Sequence, residues 1–408
     1  MKPIRILMFG WEFPPYNSGG LGVACYGLAK ALAKLGAKIT FVLPKKVGVS
    51  ADFCKLMFSD VDSHSIDFQT IDSPLKAYIT SAQYAAGERS LYGSTLFEEV
   101  ERYGREAAKI ASKENFDVVH AHDWLSFKAG IAAKRVKNKP LVAHVHATEF
   151  DRTGGRNLNQ MVYESEREGL HAADKIATVS GYTKNMVMSH YGIPDWKVSV
   201  VHNGIDTNDY SDSGRIAPML ESLKRQGNKV VLFVGRITLQ KGPDYFVQLA
   251  RKVYEEDPDV YFVVSGSGDM EGRMLQDIAY HGLSDRFIFT GFLRGEELNQ
   301  VYRAGDITIM CSVSEPFGII PLESILNGAP VLISKQTGAG EVVSHTLKSD
   351  FWDIDDMADK VLATLRYSSL KGELLMNSSR EAKMASWERA AEKCLSIYNE
   401  LLGVRVYN

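Results

Sequence analysis

Short, largely apolar runs alternate with amphipathic stretches along most of the chain. Ile4–Phe9 has the length and character of a buried strand. A loop with Pro14, Pro15, Gly19, Gly20 and Gly22 follows, then a helix predicted over Val23–Leu35 and stopped by Gly36. The pattern predicts further strands at Ala37–Leu43, Asp117–Ala121, Leu141–His146 and Lys175–Val179. Helices are predicted near Thr95–Ser112, Leu125–Arg135 and Leu158–Ala172. Such a β-α-β-α rhythm requires right-handed crossovers and a parallel sheet with helices on both faces.

The rhythm lapses around residues 205–228, where Asp206, Asn208, Asp209, Ser211, Asp212, Ser213 and Gly214 read as a linker. A second alternation then begins, with strands at Val230–Val234, Val260–Ser265, Phe287–Thr290, Ile307–Met310 and Val331–Ile333. The chain is therefore α/β, with two doubly wound Rossmann-like domains of similar size. Residues 50–92, mixed polar and aromatic, read as an irregular insertion. Ser386–Leu402 is an amphipathic helix lying after the second domain is complete, and by itself reads as a cap on that domain.

Composition narrows the function. The 408 residues are 45% hydrophobic and 24% charged, enough to bury two cores. The net charge of −3 lacks the basic footprint of a nucleic-acid partner. Lys30, Lys34, Lys38, Lys45 and Lys46 form the main local excess of charge and read as a solvated face in preference to a patch for anionic lipid. Cys25, Cys54, Cys311 and Cys394 form no CxxC or zinc pattern, and reduced core thiols are expected. With no signal-peptide pattern and no stretch of membrane-span length, a cytoplasmic location is expected.

Four groups of residues carry candidate chemistry. Gly19-Gly20-Leu21-Gly22, between the first strand and helix, suits a helix N-terminus offering N–H groups to an anion. It lacks the spacing of a dinucleotide fingerprint, and Gly266-Ser267-Gly268, with Gly272 one residue late, is only a weak match. His120, His122 and Asp123 close one predicted strand and His144 and His146 another, at the carboxyl edge where open parallel sheets bind ligands. A metal is the rival reading for these histidines, though no H-E-x-x-H spacing occurs; backbone-bonded structural roles fit His120 and His144. Arg236 and Lys241, on a loop after the first strand of the second domain, suit a diphosphate, one as a planar fork and the other as a point charge. Glu315 precedes Pro316-Phe317-Gly318, near which a helix is predicted to start. Glu323, eight residues on, would lie on its second turn, where a carboxylate suits a ribose diol.

On these residues the chain resembles the retaining GT-B glycosyltransferases, and within them the glycogen/starch synthase group. Val119-His120-Ala121-His122-Asp123-Trp124 is similar to the first-domain strand end of those synthases. Gly235-Arg236-Ile237-Thr238-Leu239-Gln240-Lys241-Gly242 is similar to the donor-diphosphate motif. Glu315-Pro316-Phe317-Gly318-Ile319-Ile320-Pro321-Leu322-Glu323 resembles the E-x7-E signature of the wider retaining family. The likeness runs through nearly the whole chain. It implies two domains facing across a cleft: residues 1–204 with 386–408 on the acceptor side, and 205–385 on the donor side, the final helix crossing back.

The resemblance also implies roles. Arg236 and Lys241 would neutralise the leaving diphosphate. The backbone at Phe317, Gly318 and Ile319 would bind sugar or phosphate oxygens. Glu315 would sit beside the sugar, and Glu323 would hold the ribose. His146, with Asp123 next to it, would lie near the reacting sugar, and His122 would belong to the substrate site. Gly19, Gly20 and Leu21 would approach the phosphates from the other side. Such enzymes retain anomeric configuration and need no bound metal or cofactor beyond the nucleotide-sugar donor. Glucosyl transfer to an α-glucan is the expectation, with a lipid, inositol or cell-surface saccharide as alternative acceptors. A nucleotide-sugar epimerase, an α-glucan phosphorylase, a non-catalytic sugar-binding protein and a dinucleotide oxidoreductase are rivals with a related or doubly wound fold. The chain departs from the group at Asn17, where bacterial ADP-glucose-dependent synthases carry Lys, and at Thr337-Gly338-Ala339-Gly340, which replaces a T-G-G run.

Overall fold

The computed structural model describes residues 2–13, 20–44, 66–70, 96–210 and 214–404. The first seven strands are β1 (Arg5–Phe9), β2 (Lys38–Leu43), β3 (Ile66–Thr70), β4 (Val118–His122), β5 (Leu141–Val145), β6 (Lys175–Thr178) and β7 (Val198–Val200). They form one parallel sheet in the order β3-β2-β1-β4-β5-β6-β7. The next six are β8 (Lys229–Val234), β9 (Val260–Ser265), β10 (Phe287–Gly291), β11 (Ile307–Met310), β12 (Val331–Ser334) and β13 (Leu347–Ser349). They form a second parallel sheet, β10-β9-β8-β11-β12-β13. Strand order reverses between β1 and β4 in the first sheet and between β8 and β11 in the second. At such a switch point the flanking loops part and leave a crevice for a ligand.

The central strands are buried on both faces and mostly apolar, with His120, His122 and His144 as the polar exceptions in β4 and β5. In the first sheet Leu7, Phe9, Val119 and Ala121 face one core, while Ile6, Met8 and Val118 face the other. The second core also takes in Trp387, Ala391 and Tyr398 of the terminal helix, Trp387–Leu401. That helix packs on Gly20–Lys34, where a Cβ on Gly27 would lie 2.2 Å from the Trp387 ring. It is started by Ser386, whose Oγ accepts from the Arg389 N–H at 3.3 Å. The terminal helix thus covers the first sheet, not the second domain that it follows in sequence.

The outgoing and returning crossings run side by side. Ile205 bridges Ser386 in parallel, and its N–H donates to the Ala385 carbonyl at 2.8 Å. Val179, Ile205, Met310, Phe317, Leu322 and Ile333 form an apolar cluster shared by the two domains.

Several readings change. Residues 205–228 are not featureless: they hold a 3-10 turn at Thr207–Tyr210 and a helix at Pro218–Arg225. The first helix begins at Gly20, so Gly20, Leu21 and Gly22 form its first turn. Strands β7 and β13, three residues each, are too short for periodicity to register. The helix Gly181–Tyr191 escapes it because its polar and apolar residues do not segregate by side. Gly19, Asn17, Cys54, Lys45, Lys46 and most of the 50–92 insertion lie outside the described residues; within the insertion only β3 is described. Cys25, Cys311 and Cys394 are free and buried. Among the described residues no helix is long and apolar enough to cross a membrane.

Candidate active site

On the first-domain side, β4 and β5 end side by side with His122 paired in register to His144. Because side chains alternate along a strand, His120, His122, His144 and His146 share one face. His120 stacks on His122 with ring centroids 4.6 Å apart, and His144 on His146 at 4.4 Å. Across the strands His120 Nε2 meets His144 Nδ1 at 3.1 Å, and His122 Nδ1 meets His146 Nε2 at 2.9 Å. His120 Nδ1 is closed off by the Tyr398 hydroxyl of the terminal helix. Burial holds His120 and His146 at a pKa of about 3, so the imidazoles are neutral. His122 has no exposed surface and makes its hydrogen bond to His146.

Asp123 follows in a backbone conformation rarely open to a side chain, φ 57° and ψ 171°. The strain turns its carboxylate back over β5, where Oδ1 accepts from the backbone N–H of His146 at 2.7 Å and of Ala147 at 3.4 Å. Arg152 lies 3.8 Å from its other oxygen and also pairs with Glu166 at 2.8 Å. Glu149 and Glu166 are almost fully buried around the same guanidinium. Burial outweighs that single cation, lifting the Asp123 carboxyl to about 6 and Glu166 to about 7.

A pH dependence of stability follows. The native state binds protons here that the unfolded chain releases, so the stabilisation is complete below the ordinary carboxylate range and is lost as pH rises through about 6 and 7. The four neutral histidines act with the opposite sign, because unfolding lets them take up protons below their ordinary range, so the carboxylate contribution is read from denaturant melts between pH 5 and 8 as a difference between parent and variant. Over that range Glu166→Gln, which keeps the shape without the titration, should gain about 3 kcal/mol relative to the parent. An unchanged pH slope in Glu166→Gln would refute the assignment.

On the second-domain side, the loop after β8 carries Arg236, Lys241 and Gly242. Gly266 and Gly268 belong to the packing of this loop: a Cβ on either would lie 1.9 Å and 2.1 Å from the carbonyl oxygens of Gly235 and Ile237. These glycines seat the Arg236 loop and need no dinucleotide. Arg236 is exposed, and no described residue pairs with it. Lys241 forms an ion pair with the buried Glu315, so the two residues bearing opposite charge in the sequence motifs meet in space.

Glu315 lies beyond the end of β11 and bridges Thr337, with its N–H on the Gln336 carbonyl at 2.9 Å. Gly318 then adopts φ 84°, and the helix starts at Ile320. Among the described residues none accepts from the N–H groups of Phe317, Gly318 or Ile319, which leaves three donors beside the Lys241 ammonium. Glu323 falls on the first turn of the helix, not the second. Its carboxylate accepts from Tyr302 at 3.0 Å and Tyr210 at 3.3 Å, one hydroxyl on each oxygen. Burial raises its pKa, against the pull of those hydroxyls.

The domains meet around this loop. Ser180 Oγ donates to the Pro316 carbonyl at 2.5 Å, and Ser314 Oγ donates to the buried Asp151 at 2.6 Å and contacts the Tyr182 hydroxyl at 3.0 Å. Glu341, in the Thr337–Glu341 turn, accepts from the N–H groups of Gly181 and Tyr182 at 2.8 and 2.9 Å and contacts His202 at 2.8 Å. That turn therefore caps a helix of the opposite domain. Gly20 and Leu21 open the first helix at the β1 switch point, Gly20 exposed and Leu21 half-buried.

Residues 18–209 match the model of the family described as Glycosyltransferase Family 4, and residues 219–380 that of Glycosyl transferases group 1. Between them the two matches take in most of the chain. The protein is a group 1 glycosyltransferase of GT-B fold. This glycosyltransferase is 28% identical to an uncharacterized glycosyltransferase of Methanocaldococcus jannaschii, over 98% of this chain and 100% of the relative. It is 25% identical to a glycogen synthase of Mycobacterium tuberculosis, over 83% of this chain and 80% of the relative. Among solved structures, Anabaena HepE in complex with UDP and glucose superposes with a TM-score of 0.72 at 18% identity, covering 97% of this chain and 100% of that one. As a member of the family, the enzyme uses a nucleotide sugar as donor.

Among the described residues, two groups of side chains in this glycosyltransferase bring ligand atoms within 4.8 Å of one another: Cys25, His122 and His146, and His120, His122 and His144. In the first group His122 Nδ1 faces His146 Nε2 at 2.9 Å, and in the second His120 Nε2 faces His144 Nδ1 at 3.1 Å, so these nitrogens already have partners. The sequence reading missed Tyr210, Tyr302, Arg152 and Asp151; Ser314 stands at the head of the Glu315 motif, without a role of its own. Only Tyr210 left a trace, as an aromatic residue within a polar linker.

The clamp on Glu323 gives a further prediction. Each carboxylate oxygen bonded by a tyrosine keeps a lone pair for a ribose hydroxyl. Glu323→Ala should weaken donor binding about 10- to 100-fold while changing kcat less, as read by titration calorimetry and initial rates. Glu323→Gln should lie between, because its one carbonyl oxygen still accepts from one tyrosine while its amide N–H groups can only donate. Unchanged donor affinity in Glu323→Ala would remove the ribose role.

Proposed function

We propose that the enzyme moves a sugar, glucose in our reading, from a nucleotide diphosphate donor to an α-glucan with retention of configuration at the anomeric carbon. The observation that carries the donor half is Lys241 beside Glu315 and the three unpaired N–H groups of Phe317, Gly318 and Ile319. As the bond from the anomeric carbon to the diphosphate breaks, negative charge grows on the leaving oxygens. Fixed donors aimed there stabilise that charge. Arg236 completes the set. The acceptor hydroxyl forms the new bond to the anomeric carbon, and its proton leaves with the diphosphate. Asp123 and His146 stand beside the sugar on the first-domain wall, and Glu323 holds the ribose. No step in this scheme calls on a metal. Similarity to a glycogen synthase supports the α-glucan acceptor.

The test is turnover with UDP-, ADP- and GDP-sugars, each with and without glycogen or maltooligosaccharides. Nucleotide diphosphate release that depends on glucan is the expected outcome, and the product linkage should keep the donor's anomeric configuration. Glucan-independent release would move the acceptor to another class, and an inverted product would end the retaining assignment.

A further inference from the structure

We propose that His122 is a positioning residue, one that fixes the ring of His146 and the nitrogen on which it carries its proton during transfer. The proposal rests on the assignment of His146 to the sugar site. His146 is held at three points: its backbone N–H by Asp123, one ring face by His144, and Nε2 by His122 Nδ1 at 2.9 Å. The first two limit where the ring lies; only the third sets its rotation and ties the protonation of Nε2 to that of His122 Nδ1. A neutral imidazole has one donor and one acceptor nitrogen, so the role of His122 Nδ1 dictates the role of His146 Nε2 and, through it, of His146 Nδ1. Neutrality of both rings makes this coupling strict, since a doubly protonated ring could donate from both nitrogens.

His122 is a poor choice for folding alone. It has no exposed surface, its Nε2 has no hydrogen-bond partner, and Phe41 stacks over its ring with centroids 6.5 Å apart. An orphaned buried nitrogen costs stability that an apolar side chain of similar size would not. What an apolar residue lacks is the Nδ1 contact to His146. The geometry therefore assigns the histidine to positioning.

The experiment compares His122→Leu, His122→Asn and His122→Gln with the parent and with His146→Ala, measuring kcat and donor KM. Asn carries its amide where His122 carries Nδ1; Gln carries it one bond too far. Expected are a fall in kcat of about 10- to 100-fold in His122→Leu with donor KM little changed, melting no lower than the parent, and recovery of most of the rate in Asn but not in Gln. Adding His122→Leu to His146→Ala should slow the enzyme no further, because both remove one interaction. Parent-like kcat in His122→Leu, or equal rates in Asn and Gln, would overturn the proposal. If His122→Leu fails to fold, the Asn–Gln comparison decides alone. A parent-like His146→Ala would instead overturn the assignment of His146 itself.

Discussion

Replacing Lys241 by Ala should lower kcat by about 10²–10³-fold, the usual effect of removing one fixed donor from a developing oxyanion. Donor KM should change far less, because the charge Lys241 offsets is largest in the transition state. The sequence motif alone suggests that folding should be spared. The structure says otherwise: Lys241 is the ion-pair partner of Glu315, whose side chain is 9% exposed. Deleting one member of a buried pair strands the other, at roughly 3 kcal/mol, so thermal melting should fall as well. Lys241→Ala/Glu315→Gln, in which no charge is stranded, should regain melting temperature; since Glu315 is itself assigned beside the sugar, the leaving-group effect is read from kcat of Lys241→Ala well below its melting temperature. Parent-like kcat in Lys241→Ala would remove its leaving-group role. Recovery of turnover in the double variant would mean that the single one failed by misfolding.

The second large effect is expected far from the chemistry. A Cβ at Gly204 would lie 2.1 Å from the backbone nitrogen of Trp387 and 2.2 Å from the carbonyl carbon of Ser386. Both are main-chain atoms, so no side-chain rotation relieves the clash. Gly204→Ala must push the two crossings apart, break the Ile205–Ala385 hydrogen bond and lift Trp387 away from Gly27. The cost should be about 3 kcal/mol or more, seen as a lower melting temperature and looser protection of the terminal helix in hydrogen exchange. Gly272→Ala is the control, because nothing lies within 4 Å of its added Cβ and the site is helical; it should be neutral or stabilising by up to about 1 kcal/mol. Equal melting of the two variants would show that the crossings are not tightly packed at Gly204.

Much of this protein was legible in one dimension. Strands covered on both faces are mostly apolar, and most helices between them have one apolar stripe, so the inner strands of both parallel sheets could be read before any residue was placed. The spacing of Glu315 and Glu323, and of Arg236 and Lys241, is local: a loop and a single turn of helix set it. Those pairs therefore announce themselves as motifs.

What the sequence leaves open depends on which strands become neighbours. The order β1-β4-β5 brings residues 120–122 beside 144–146, and only then do separate histidines become two hydrogen-bonded rungs with His122 against His146. The backbone turn at Asp123 decides that its carboxylate holds the chain of β5. The Glu323 carboxylate lies between Tyr210 and Tyr302, and Lys241 stands against Glu315; each contact joins segments far apart in sequence. The terminal helix shows the same division. Its amphipathic pattern predicts a helix, but its place on the first sheet depends on the Gly204 crossing and on the groove that Gly27 leaves for Trp387. Periodicity fixes the elements because it follows from backbone geometry. Partners are fixed by close packing between distant segments, which is a property of the folded chain.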